Sequence, residues 1–160
     1  MCVCRQGIKA FYLEKAMNDG GIYLAWPEYT ESFESYTTIE KCAELVKKHS
    51  LQNAHSTSIR NRAGQIYSFR NIMHDGDLVL IPRYRSLSYI LARIIGPYEY
   101  IEGGPLYHFR KVEVIVNSIP RDWFPRDIQY SLGAFRTLFI AKRSSEIVEI
   151  INNNCKCKVL

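Results

Sequence analysis

Residues 78–116 read LVLIPRYRSLSYILARIIGPYEYIEGGPLYHFRKVEVIV, and the fold turns on this stretch. LVLIP (78–82), YILARII (89–95) and YHFRKVEVIV (107–116) are dense in β-branched and aromatic residues, which suit a pleated, half-buried surface. The segments between them, with SLS in the first and GPYEYIEGGP forming the second, carry the polar, Gly and Pro residues of turns. A fourth run, TLFIA (137–141), follows a longer excursion. Strands this short, without regular βαβ alternation, argue against a doubly wound sheet and for a small closed or nearly closed barrel.

Outward from that stretch the periodicity is mostly helical. The chain begins with a weakly alternating MCVCRQGI, a helix placing Ala10, Leu13 and Met17 on one face, and a strand IYLAW that closes at Pro27. Thr37 and Glu40 form a capping box ahead of a second helix carrying Ile39, Ala43, Leu45 and Val46. HSTS (55–58) caps a third, with Ile59, Ala63, Ile66, Phe69 and Met73 in one apolar stripe and Arg60, Asn61, Gln65 and Arg70 opposite. After 116, Pro125 opens a short helix RDIQYSL that stops at Gly133, and Ser144-Ser145 cap a last helix. At 160 residues the chain suits one buried core. The expectation is an α+β fold, a single domain over 1–143 whose barrel is centred on 77–141, followed by a C-terminal helix and frayed tail over 144–160.

Charge is unevenly spread. Residues 1–55 hold six Lys/Arg against seven Asp/Glu, whereas residues 56–143 hold thirteen against seven, and eleven of those thirteen are Arg. Arginine prefers planar, bidentate partners such as phosphates and base edges, so a basic half of this kind suits a polyanion partner as well as a solvated surface. The five cysteines, Cys2, Cys4, Cys42, Cys155 and Cys157, are odd in number. The opening MCVCRQGIKAF lacks the apolar core of a signal peptide, so a reduced, cytoplasmic protein is expected. C-x-C pairs depart from the usual C-x₂₋₄-C of structural zinc, and no metal or cofactor is expected. No run approaches the roughly 18 apolar residues of a membrane helix.

The residue patterns of catalysis are missing. His49, His55, His74 and His108 stand in no recurrent arrangement with Ser, Cys or Asp, and the GGP at 103–105 is a turn and not a phosphate cradle. Arg110-Lys111-Val112-Glu113 has the wrong order for a nuclease E-x-K strand, and deaminase spacing is absent. The reading is non-enzymatic. What the chain does offer is aromatic residues beside bases at strand ends: Trp26 before Pro27, Tyr84 between Arg83 and Arg85, Tyr89 at the start of a strand, and Trp123 after Arg121-Asp122. Exposed rings can stack on a nucleobase while neighbouring arginines hold phosphates; buried rings merely anchor loops.

The run NRAGQIYSFRNIMHDGDLVLIPRYRSLSYILARIIGPYEY, with YHFRKVEVIVNSIPRDWF, SLGAFRTLFIAK and the opening GIYLAW, resembles the N-terminal recognition module of Mrr-type restriction-like proteins, a PUA-like domain of the EVE/YTH type. The resemblance spans about residues 5–141. It implies a small PUA-like β-barrel flanked by helices that binds nucleic acid, DNA in preference to RNA. It also implies a modified or flipped base in an aromatic pocket, as in modification-dependent restriction or phage defence, and an effector nuclease acting in trans. On that reading Trp26 with Tyr84 or Tyr89 sandwiches the base, Asn61 or Gln65 reads its edge, and Arg60, Arg62, Arg83, Arg85 and Arg121 hold phosphates. Asn61 is equally an ordinary polar helix residue, and Arg121-Asp122 equally an internal ion pair. Two other classes stand beside it: a protein–protein adaptor of a defence or toxin–antitoxin system, using the last helix and the SFESY loop, and a small nucleic-acid-acting enzyme with His74 or His108 as acid/base.

Overall fold

Two long antiparallel strands, β4 (Ser88–Tyr100) and β5 (His108–Pro120), form the spine of the molecule. The computed structural model describes residues 1–50 and 55–155. Around the spine come β1 (Cys2–Cys4), α1 (Leu13–Asn18), β2 (Gly21–Tyr23), α2 (Ile39–His49), α3 (Ser56–Tyr67), β3 (Leu78–Arg83), α4 (Arg126–Leu132), β6 (Leu138–Ile140) and α5 (Ser144–Asn154). The six strands make one sheet in the order β2-β5-β4-β3-β1-β6, with β1 parallel to β3 and the other pairings antiparallel. The fold is α+β, with the sheet curled into a half-barrel.

Strand alternation explains how helices come to cover both faces. Cys2, Cys4, Val79, Ile81, Ile90 and Ala92 point to one face, where Cys42, Leu45 and Val46 of α2 and Ala63 and Ile66 of α3 cover them. Their neighbours Val3, Leu78, Leu80, Tyr89 and Leu91 point to the other, under Ile128 and Leu132 of α4 and Ile147 and Ile151 of α5. The last helix therefore belongs to the body of the fold and is not an appendage to it. Cys157, with the rest of the expected frayed tail (156–160), lies outside the described residues.

Two local expectations are corrected. GPYEY does not end its strand: β4 runs on through Gly96 and Pro97 to Tyr100, because a register shift between Ile94 and Tyr98 accommodates a proline that has no N–H for the ladder. The α2 cap is Thr38 and not Thr37; its side chain accepts from the Lys41 N–H at 3.3 Å.

The curl brings β1 toward β2, and a side chain bridges them. Gln6 is fully buried, and its amide does what a strand backbone would: Oε1 accepts from the Tyr23 N–H at 3.0 Å, and Nε2 donates to the Tyr23 carbonyl at 3.2 Å. Burial pushes the neighbouring Cys4 thiol well above its ordinary pKa. Its Sγ also donates to the Tyr23 carbonyl, at 3.6 Å. No helix among the described residues is long and apolar enough to cross a membrane.

Candidate functional site

One of the two edge strands of the sheet is β6, which among the described residues pairs with β1 alone. Between this edge and α3 lies an open groove of about 630 Å³. One wall presents Arg60, Asn61 and Gln65 of α3; the other presents Tyr130 of α4 together with Arg136 and Lys142, which flank β6. No Asp or Glu lines it. The ion pairs among the described residues engage Lys15, Lys48, His49, Arg62 and Arg143, and none engages Arg60, Arg136 or Lys142. A concave surface with cations and no carboxylate concentrates positive potential and attracts anions. Tyr130, 76% exposed, adds a ring available for stacking.

The groove is braced from behind. The Gln65 Oε1 accepts from the Leu138 N–H at 2.8 Å, tying α3 to β6, while its Nε2 donates to the Asn61 carbonyl at 3.3 Å. Trp26 Nε1 donates to Thr137 Oγ1 at 3.0 Å, and the Arg5 N–H donates to the Thr137 carbonyl at 2.7 Å. Of the two amides expected to read a base, Gln65 is thus committed to holding the sheet edge. Asn61 remains exposed on the wall.

The other expected site residues scatter, and the reasons are physical. Trp26 is half-buried, its ring centroid 5.7 Å from that of Tyr29 and 5.3 Å from the Arg62 guanidinium. Arg62 is in turn ion-paired at the surface with Glu28 at 2.8 Å, and Trp26 and Arg62 do not line the groove. Tyr89 cannot face Trp26: it is 5% exposed and packs edge-on to Phe124 in the core on the opposite face of the sheet. Arg83, Tyr84 and Arg85 occupy the β3–β4 hairpin, and none lines the groove. There the Lys9 ammonium stands 5.9 Å from the Tyr84 ring, and Arg83 donates to Asn117 Oδ1 at 2.8 Å. The Arg121 backbone N–H joins the same end of the sheet, donating to the Leu87 carbonyl at 3.0 Å, and no Arg121–Asp122 ion pair is present among the described residues.

The residues named for the other readings lie as follows. His108 is wholly buried and stacked on Phe33 with ring centroids 3.4 Å apart. Its Nε2–H donates to the Tyr29 carbonyl at 2.9 Å, so its Nδ1 must accept from the Tyr98 hydroxyl at 2.9 Å; that hydroxyl accepts in turn from the Phe33 N–H. Burial pushes the His108 pKa down to about 4, against the support of the Tyr29 carbonyl. A neutral ring with both nitrogens engaged has no free position for acid–base chemistry. In the SFESY loop Phe33 is buried, and in α5 Ile147 and Ile151 are buried, so these apolar side chains face the core. His74 is exposed in a turn, its backbone N–H held by Asp77 Oδ2 at 2.9 Å.

Sequence reasoning missed Tyr130, Arg136 and Lys142. They sit in YSLGAFRTLFIAK, where an aromatic–basic texture was legible, but the apposition of this segment to α3 was not. No curated protein and no solved structure matches the chain. The family model described as "Domain of unknown function (DUF8426)" matches residues 7–132, most of the chain, and the protein belongs to that family.

Proposed function

We propose that the protein is a non-catalytic nucleic-acid-binding module that takes a flipped or modified base into the groove between α3 and β6. The observation that carries this reading is the groove itself: three cations outside any ion pair among the described residues, an exposed tyrosine and an exposed asparagine, with no carboxylate. Arg60, Arg136 and Lys142 hold phosphates; Tyr130 stacks on a base; Asn61, offering donor and acceptor together, reads its edge. Gln65 and Trp26 act from behind, fixing the β6 edge against α3. A curled sheet with helices on both faces is compatible with the PUA-like barrel that the sequence resembles, and the resemblance favours DNA over RNA and an effector nuclease supplied in trans.

The test is fluorescence anisotropy with modified and unmodified duplex DNA, single-stranded DNA and RNA at about 50 and 200 mM salt. Binding should fall with salt, and Arg60→Ala, Arg136→Ala and Lys142→Ala should each lower the salt slope by about 1. Absence of binding to every probe at the lower salt would remove this reading.

A further inference from the structure

Phe135 is the most exposed large apolar side chain among the described residues, at 107% of its reference exposure. Singly exposed hydrophobics are common, but they ordinarily lie along a surface or in a loose loop. Phe135 stands at the tip of the α4–β6 connection, between Ala134 and Arg136, both of which line the groove. The backbone beneath it is tied on each side. Arg5, itself half-buried, donates from Nη2 to the Leu132 carbonyl and from Nε to the Ala134 carbonyl, each at 3.2 Å. The Ala134 carbonyl also accepts from the Arg136 N–H at 2.9 Å, closing a tight turn centred on Phe135. On the far side, Thr137 is held by Arg5 and Trp26.

We propose that Phe135 is a stacking wedge: its ring enters a nucleic-acid strand at the rim of the groove and stacks on the base beside the one that is drawn in. Apolar wedges on rigid tips open base steps in this manner, and extrusion of a base leaves a gap that a planar apolar ring can fill. The ring is delivered next to Arg136, with Arg60 and Lys142 on the same groove, so the positive field selects a polyanionic strand as its partner. The inference rests on the proposed nucleic-acid function and adds a residue and a contact mode to it.

The experiment compares native protein with Phe135→Ala, Phe135→Leu and Phe135→Trp on a fluorescein-labelled DNA duplex carrying one unpaired base. Because the side chain touches solvent and not the core, all four proteins should melt at the same temperature. Phe135→Ala and Phe135→Leu should lose about tenfold in affinity with the salt slope unchanged, and Phe135→Trp should restore it, since stacking is uncharged and needs a planar ring. Unchanged affinity in Phe135→Ala, alongside weakened Arg136→Ala, would overturn the wedge and leave the binding function standing. Full affinity in Phe135→Leu would also overturn it, showing an apolar contact without stacking. Failure of the native protein to bind would remove both.

Discussion

Gln6 shows how much of this fold rests on single side chains. A buried N–H and a buried C=O of Tyr23 are both satisfied by one amide. Gln6→Leu orphans the N–H and leaves the C=O with the weak Cys4 thiol donor, and at about 1–3 kcal/mol for an orphaned buried group the variant should lose about 1–3 kcal/mol in urea denaturation. His108 gives a pH signature. Its folded pKa, about 4, lies below its ordinary 6.5, so the unfolded chain binds the extra proton first. Stability is therefore complete above 6.5, falls as the pH drops toward 4, and stops changing on this account below that. The loss amounts to about 3 kcal/mol, and His108→Phe should flatten the slope by close to one proton across that window. Glu31, which burial pushes up but Lys48 and His49 hold below its ordinary value, is present in both proteins.

Among the elements, the narrowest fit is β2 on β5. A Cβ at Gly21 would stand 2.1 Å from the Phe109 ring and 2.5 Å from the Arg110 carbonyl oxygen. The backbone atom cannot turn aside as a flexible side-chain end would, so Gly21→Ala should shift the urea midpoint down by the equivalent of about 1–3 kcal/mol. The close approach at Gly21 was not legible in sequence, because the partner lies nearly ninety residues on. Most elements were readable for the opposite reason. The α3 stripe Ile59, Ala63, Ile66 and the β-branched runs of β3–β5 carry their periodicity within a few residues. GPYEY was misread because a bulge that tolerates proline depends on the partner strand.

At the scale of the whole molecule, α5 closes the second core. Ile147 and Ile151 are fully buried, and burying two such side chains contributes about 3–6 kcal/mol, a large part of the total stability of a domain of this size. A chain ending at Arg143 should lose its cooperative urea transition and aggregate, measured by circular dichroism and light scattering. Cooperative folding of that truncation would support the 1–143 boundary expected from sequence. The same scale explains the scatter of expected site residues. Strand parity sends Tyr89 to one face of the sheet and the Trp26 neighbourhood packs against the other, so no groove can gather both.

The α+β class, the order of the elements, the basic bias of residues 56–143 and the candidacy of Arg60 and Asn61 were all written in local pattern and composition. Periodicity and side-chain chemistry are properties of neighbours along the chain. The groove was not written there. It exists because the sheet curls, Gln6 and Gln65 close its gaps, and β6 falls across from α3, setting Arg136 and Lys142 opposite residues about seventy-five positions earlier. Which Tyr is a platform and which is core, whether Arg62 is free or paired, and why Phe135 stands in solvent depend on contacts between distant segments, and only their packing decided them.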